Sequence, residues 1–276
     1  MRRHFNSDRA FTLVELLVVI AIIALLIAIL LPVLSRVKQQ AQQIQCQSNL
    51  RTIGQALTMY TNQYGYFPGA FLNDPPGFPG IAVCWPVRLR GLLKGGRNIF
   101  YCPAQDPRCQ WRDDAPGPAL FGGASATRFG YESGERLLVD PGMYFSYGYN
   151  GGGAWGGPGF PFPRGMGSDR YSLIDPTFHP YTAQRACRVK SGSDFIMIAD
   201  TVADAQGDFE IYPENTQATV YNSLGDIHRG GANILFGDGH VQWYLPGDLM
   251  LQWPVVPQEA AKQCKWNVDN QPSRAW

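Results

Sequence analysis

From residue 11 to residue 31 the chain reads FTLVELLVVIAIIALLIAILL, 21 residues without a Lys, Arg or Pro and with Glu15 as the one full charge. In a helix rising about 1.5 Å per residue this run covers roughly 30 Å, the thickness of a bilayer's hydrocarbon core. A secretory signal is one competitor, since Arg2, Arg3 and Arg9 precede the run. Its apolar region, however, stops at about 15 residues and is followed by small residues. Here Leu30, Leu31, Pro32, Val33 and Leu34 follow instead. An ordinary membrane anchor fits the length and the basic flank, but leaves Glu15 unexplained. A carboxylate one turn into an apolar helix costs a few kcal/mol on insertion scales and needs a partner.

The helical pattern continues past Pro32 to about Tyr64. Pro32 removes one backbone donor and is expected to bend the helix rather than end it, because the periodicity resumes at once. Leu34, Val37, Ala41 and Ile44 form one apolar stripe; Cys46, Leu50, Ile53, Leu57, Tyr60 and Tyr64 form another, about 170° around the helix. A helix packed only on its own head would keep one stripe. The change of face predicts that the upper half meets neighbouring subunits and the lower half meets the head. The other reading makes the Gln-rich residues 39–47 a solvated stalk. Gly65 is the expected stop signal and Pro68 follows it, so the helix should occupy residues 11–64 and run roughly 80 Å.

Strand patterns are clearest near the C-terminus. Residues 195–199, FIMIA, read as a buried strand, with Asp200-Thr201 as a turn. Asp238-Gly239 between two apolar-rich runs is a strong hairpin signal for residues 232–245. A two-residue turn there pairs Phe236 with Val241, Ile234 with Trp243 and Ala232 with Leu245, giving one wholly apolar face. A three-residue turn opposes Phe236 to His240 and mixes the faces, so the shorter turn is favoured. The apolar face is then expected to pack on the helix stripe from Cys46 to Tyr64.

Between these ends, residues 115–168 hold 21 Gly plus Pro, a density that predicts irregular loops. Tyr144, Phe145, Tyr147, Tyr149, Trp155, Phe160 and Phe162 fall in or beside this region, and so many aromatics argue for order through packing. They either cover the edge of a small sheet or bind a glycan or protein partner. Residues 91–96, GLLKGG, lack the spacing of a phosphate-binding loop, and nucleotide binding has no support.

Composition narrows the function classes. The chain is 45% hydrophobic and 13% aromatic, enough for a core. Without residues 1–10, which carry Arg2, Arg3, Arg9 and Asp8, the formal charge would go from +1 to −1; near-neutrality either way argues against a nucleic-acid binder. Six cysteines occur, none in a CxxC pair, so a zinc knuckle is not expected. In an oxidising compartment disulfides are allowed. Cys102 with Cys109 is the shortest closure in the head, and Cys46 is the expected free thiol. His228 and Asp238 would sit at opposite ends of a hairpin strand, about 20 Å apart. That favours a structural His228 orienting the Arg229-Gly230-Gly231 loop over a catalytic pair. No Ser or Cys nucleophile has a base beside it in the pattern.

A basic leader, the small residue Ala10, and then Phe11-Thr12-Leu13-Val14-Glu15 opening an apolar helix resembles the processing site of type IV prepilins and type II secretion pseudopilins. The resemblance implies cleavage between Ala10 and Phe11 by a membrane prepilin peptidase that also methylates the new amine. Glu15 would then pair with the N-terminal amine of a neighbouring pilin or pseudopilin subunit, and a proline near Pro32 is likewise a pilin feature. Ala10 stands where that family usually has Gly; its added methyl group is expected to slow cleavage rather than block it. An ammonium on Phe11 would supply a buried cation for Glu15. His228, nine residues, then Asp238-Gly239 resembles the H-x9-DG signature of a prepilin group, to which Tyr101-Cys102-Pro103 and residues 146–150, SYGYN, are also similar.

The expected fold class is therefore α+β and pilin-like: a long N-terminal helix, transmembrane over 11–31, on a small antiparallel sheet, with a head of residues 65–276. The expected function is a non-enzymatic filament subunit, single-pass in the cytoplasmic membrane with its head outside the cytoplasm. The competing function is a membrane-anchored binding protein for a glycan or protein. No cofactor is expected unless calcium binds, as related pseudopilins imply; its candidate donors are Asp200, Asp204, Asp208 and Asp226, whose spacing matches no EF-hand.

Overall fold

A single helix, α1 (Leu13–Tyr64), accounts for the periodic N-terminal pattern from Leu13 onward and continues through Pro32. It ends where the sequence predicts: Gly65 adopts φ +76°, and its N–H donates back to the Thr61 carbonyl at 2.8 Å, the left-handed cap that glycine adopts without steric cost. The computed structural model describes residues 13–73, 82–93, 96–111, 145–152, 165–167, 184–202, 210–213, 223–251 and 259–271. The chain divides into two units, Met1–Ala41 and Gln42–Trp276, and α1 contributes to each.

In the first unit every large apolar side chain from Leu13 to Leu34, with Val37, is between 45 and 79% exposed. The second unit begins with the lower part of α1, where Cys46, Leu50, Ile53 and Leu57 of the second stripe are buried. The change of stripe thus coincides with a change from exposed to buried apolar surface. Tyr64, the last member of that stripe, is 54% exposed.

The head is α+β. Two short strands, β1 (Phe71–Asn73) and β2 (Ala82–Cys84), pair antiparallel and lead into α2 (Trp85–Arg90). The main sheet is four-stranded and antiparallel in the order β3 (Tyr147–Tyr149), β4 (Ile196–Asp200), β5 (Ala232–Phe236), β6 (Val241–Tyr244). Two short helices, α3 (Pro246–Leu249) and α4 (Ala260–Trp266), follow it.

Both faces of the sheet are covered. On one, Tyr147, Tyr149, Met197, Ile198 and Leu235 pack with Cys46, Leu50, Ile53, Ala56 and Leu57 of α1 and with Trp85, Leu89 and Phe100. On the other, Ile196, Ala199, Ala232, Ile234 and Phe236 pack with Leu249, Leu251 and Trp266. Met197 and Ile198 share a face although adjacent, because the β4–β5 register shifts between Ile196 and Ile198. Such a bulge adds one residue to one strand and breaks the alternation of side chains. Gly54 lets α1 approach β5: a Cβ there would lie 2.9 Å from Leu235 Cδ1.

Three strand expectations are corrected. Asp200 is the last residue of β4, opposite Tyr147, rather than a turn residue. The β5–β6 register pairs Leu235 with Val241, Ile234 with Gln242, Asn233 with Trp243 and Ala232 with Tyr244, one residue away from the expected pairing. The loop is Gly237-Asp238-Gly239, closed by Phe236 N–H to His240 O at 3.0 Å and Gly239 N–H to Phe236 O at 2.9 Å, with Gly239 at φ +90°. A three-residue hairpin with glycine in the left-handed position is a standard alternative to the two-residue turn. Phe236 and His240 do face each other, and their rings stack 4.4 Å apart. The third correction is that the Ala232, Ile234, Phe236 face packs against α3 and α4, whereas Leu235 meets α1. The expectation failed because it assumed one solvated face. All five residues of β5 are buried, so pleat polarity could not choose the register.

Candidate functional site

Two features carry the functional argument: the exposed apolar length of α1, and a buried polar cluster where the lower part of α1 meets the sheet.

Glu15 lies in the first turn of α1, with Leu13, Val14, Leu16 and Leu17 exposed around it. A carboxylate there faces the positive end of the helix dipole, as well as any cation presented at that end. Ala10 and Phe11 fall outside the described residues. Among the described residues α1 is the one helix long and apolar enough to cross a membrane.

The polar cluster begins with Cys46, which is bonded to Cys102. This corrects both cysteine expectations: Cys102 does not pair with Cys109, and Cys46 is not a free thiol. Cys109 is buried at the end of a 3-10 turn, Pro107–Cys109, outside any disulfide. Cys46 was already placed on the head-facing stripe by its spacing from Leu50, Ile53 and Leu57, and that was the available signal. A short sequence closure carries no information about which thiols the fold brings together.

Around the disulfide the polar side chains of α1 reach the head. Gln42 Nε2 donates to Pro103 O at 2.7 Å, Asn49 Nδ2 to Tyr101 O at 2.9 Å, and Gln47 Nε2 to Asn233 Oδ1 at 3.0 Å. The Gln-rich segment is thus partly an adhesive surface for the head.

Next to Cys102 sits His228, only 2% exposed. Its Nε2 is 3.2 Å from Cys102 Sγ and 3.5 Å from Asp200 Oδ2. Asp200 is fully buried, and its Oδ2 accepts from Asn233 N–H at 2.7 Å and Asn233 Nδ2 at 2.9 Å. Burial drives both groups toward neutrality. It pushes the Asp200 carboxyl up to about 7, against the two Asn233 hydrogen bonds, and the His228 imidazole down to about 4.

The main chain of His228 is held too. His228 N–H donates to Gly231 O at 3.0 Å and Gly231 N–H to His228 O at 3.2 Å, while Trp243 Nε1 donates to the same His228 carbonyl at 2.8 Å. Arg229 and Gly230 between them have φ +59° and +81°, the positive values of a tight hairpin turn.

His228 and Asp238 of the C-terminal signature therefore have different partners. Asp238 Oδ1 accepts from His240 N–H at 3.0 Å and lies 2.6 Å from His240 Nδ1, in an exposed turn. Partial burial raises the Asp238 carboxyl, but these His240 contacts outweigh it and hold it below its ordinary range. Of the calcium candidates, Asp200 is buried beside sulfur and imidazole while Asp226 is exposed; Asp204 and Asp208 lie outside the described residues. Among the aromatics, Tyr147 and Tyr149 are core, and Tyr144, Trp155, Phe160 and Phe162 lie outside the described residues.

Comparison with known proteins adds two matches. Residues 5–31 match the prokaryotic N-terminal methylation motif, and residues 35–89 match a family of proteins of unknown function, DUF1559. No curated protein and no solved structure matches the chain significantly. The methylation motif covers the run that α1 leaves exposed, and the second match covers the part of α1 that docks on the head. The chain thus carries an N-terminal methylation motif, followed by a segment similar to DUF1559 and an α+β head of pilin-like layout.

Proposed function

We infer that the protein is a structural, pilin-like subunit: cleaved between Ala10 and Phe11, N-methylated, and assembled with other pilin or pseudopilin subunits through α1. One observation carries this reading. Within a single 52-residue helix, the methylation-motif portion exposes every large apolar side chain while the lower part of the buried stripe is committed to the head. Apolar surface of that extent is stable in lipid before assembly or against other helices after it. Glu15 then serves as a partner of a neighbour's Phe11 ammonium, a pairing of opposite charges that is favourable in lipid.

Orientation follows from the flanks. Arg2, Arg3 and Arg9 favour a cytoplasmic leader by the positive-inside rule. The Cys46–Cys102 disulfide suits an oxidising compartment on the other side. The buried cluster presents no nucleophile aligned with a base at an open cleft, and the role proposed for the head is structural.

Mass spectrometry of the mature N-terminus tests the reading: methyl-Phe11 is expected, and an intact Met1 on the membrane-extracted chain overturns it in favour of a tethered binding protein. Glu15→Ala should abolish filaments while leaving membrane insertion unchanged. Filaments surviving that substitution would remove the role given to Glu15.

A further inference from the structure

The cluster at the α1–sheet junction has a donor set that neither the filament role nor the disulfide requires. Cys46, Cys102, Asp200 and His228 come from four separate elements, and one ligand atom from each lies within 4.8 Å of all the others. All four residues are buried. Two sulfurs, an imidazole nitrogen and a carboxylate oxygen make a four-coordinate donor set for zinc, whereas calcium requires oxygen alone.

The geometry is close to that of a tetrahedral site. With metal bonds of about 2.0–2.3 Å, ligand atoms stand roughly 3.3–3.8 Å apart. Cys102 Sγ to His228 Nε2 is 3.2 Å and His228 Nε2 to Asp200 Oδ2 is 3.5 Å. The two sulfurs, bonded to each other here, would have to part by side-chain rotation, and the four donor atoms, all within 4.8 Å of one another, would have to close around the ion.

A second observation points to a ligand. Asp200 Oδ1 is buried with no hydrogen-bond partner among the described residues, while His228 Nε2 stands 3.5 Å from the other oxygen, Oδ2, too far for a good hydrogen bond. A buried carboxylate oxygen left so needs a proton or a cation. The supporting shell is already in place: Asn233 fixes Oδ2 through two hydrogen bonds and is itself held by Gln47, while Trp243 and Gly231 fix the His228 main chain. Such outer contacts orient metal ligands and are costly to lose.

We propose that in the reduced chain Cys46, Cys102, His228 and Asp200 form a closed site for a zinc-class divalent cation, and that the ion and the Cys46–Cys102 disulfide are alternative clasps between α1 and the head. The exchange balances. A dithiol reductant gives two electrons and two protons to the disulfide, producing two thiols and its own disulfide. The cation then binds both sulfurs as thiolates and displaces their two protons. In the opposite direction a disulfide oxidant accepts two electrons from the two thiolates, the S–S bond forms and the ion leaves. Because all four ligands are buried, the ion is loaded as the chain folds.

The test uses the full chain in detergent, with Cys187→Ser and Cys264→Ser removing the two cysteines that are not buried. The protein is unfolded with a phosphine reductant and refolded without oxygen in the presence of cobalt(II). One cobalt per chain is expected, with thiolate-to-cobalt charge transfer and the strong visible bands of a four-coordinate ion. Asp200→Asn and His228→Ala should each weaken binding at least about tenfold. A readout free of mutations at the site is alkylation of the reduced chain: zinc should protect Cys46 and Cys102 while Cys84 and Cys109 react as they do without it. Absence of the charge-transfer band at one equivalent, binding indifferent to both substitutions, or no selective protection of Cys46 and Cys102 would each overturn the proposal.

Discussion

The neutral Asp200–His228 pair has a pH signature that depends on having both members. In the disulfide-bonded, metal-free protein, the folded state between about pH 4 and 6.5 holds a protonated Asp200 and a neutral His228. The unfolded chain over the same interval holds an ionised aspartate and a protonated histidine. Each state binds one proton at the pair, so the pair adds almost no slope to stability against pH. Each partner alone has a slope of its own. The Asp200 pKa is raised on folding, from 3.8 to about 7, so its contribution is complete below 3.8 and is lost as pH rises through about 7. The His228 pKa is lowered, from 6.5 to about 4, so its contribution is complete above 6.5 and is lost as pH falls through about 4. At 1.36 kcal/mol per pH unit these are about 4 and about 3 kcal/mol respectively. Two neighbours do not intrude. Tyr147 packs beside Asp200, but burial first and the Asp200 charge second hold its phenol well above the ordinary range, and Cys102 is in the disulfide. Urea unfolding of the oxidised chain in micelles, followed by tryptophan fluorescence from pH 4 to 7, reads the effect as differences from wild type, in which other carboxylates cancel. Asp200→Asn should gain relative stability as pH rises, and His228→Gln should lose it. Two flat difference curves, or two of the same sign, would refute the assignment of opposite protonation preferences to this pair.

Other parts of the fold give sharper single readings. Replacing Cys102 with Ser opens a link between residues 56 apart in sequence, worth about 4 kcal/mol by the chain-entropy relation; a shift of the urea midpoint in oxidising buffer that matches the wild type under reductant would measure it. Gly148→Ala in β3 places a Cβ 2.4 Å from Ile211 Cγ2 and 2.5 Å from Thr201 Cγ2. Both neighbours are β-branched and rotate poorly, so a loss of about 1–3 kcal/mol is expected in the same assay. Leu57→Ala removes a side chain only 1% exposed from the α1–sheet core and should cost about 2–5 kcal/mol, whereas Leu34→Ala, 59% exposed, should leave the unfolding of the head unchanged.

What was legible in the sequence follows the range over which the information acts. The span of α1, its stop at Gly65 and its buried stripe are local, repeated every three or four residues, and needed only helical geometry. Asp238-Gly239 located a hairpin for the same reason. Its register escaped because Leu235 and Phe236 are both buried, on opposite faces, and the Gly237-Asp238-Gly239 loop chose the pairing instead. The disulfide and the Asp200–His228 contact escaped more completely. Their members sit at 46, 102, 200 and 228, on a helix, a loop, a strand end and a turn, and only the assembled sheet brings them together. No spacing rule covers four ligands drawn from four elements. The H-x9-DG phrase behaved similarly: it marks two structurally distinct points, a buried imidazole at His228 and an exposed turn at Asp238.

Cys46 is the first fully buried residue of α1 along the chain, and its bond to Cys102 has a mechanical consequence. A pull arriving through the helix reaches that covalent link before it reaches Leu50, Ile53 or Leu57, so the helix cannot be peeled from the sheet one turn at a time. The load passes directly into the Cys102 loop, and the residues between 46 and 102 are shielded from tension. Stretching a single chain between residue 42 and the C-terminus should leave that length hidden, and reductant should release it.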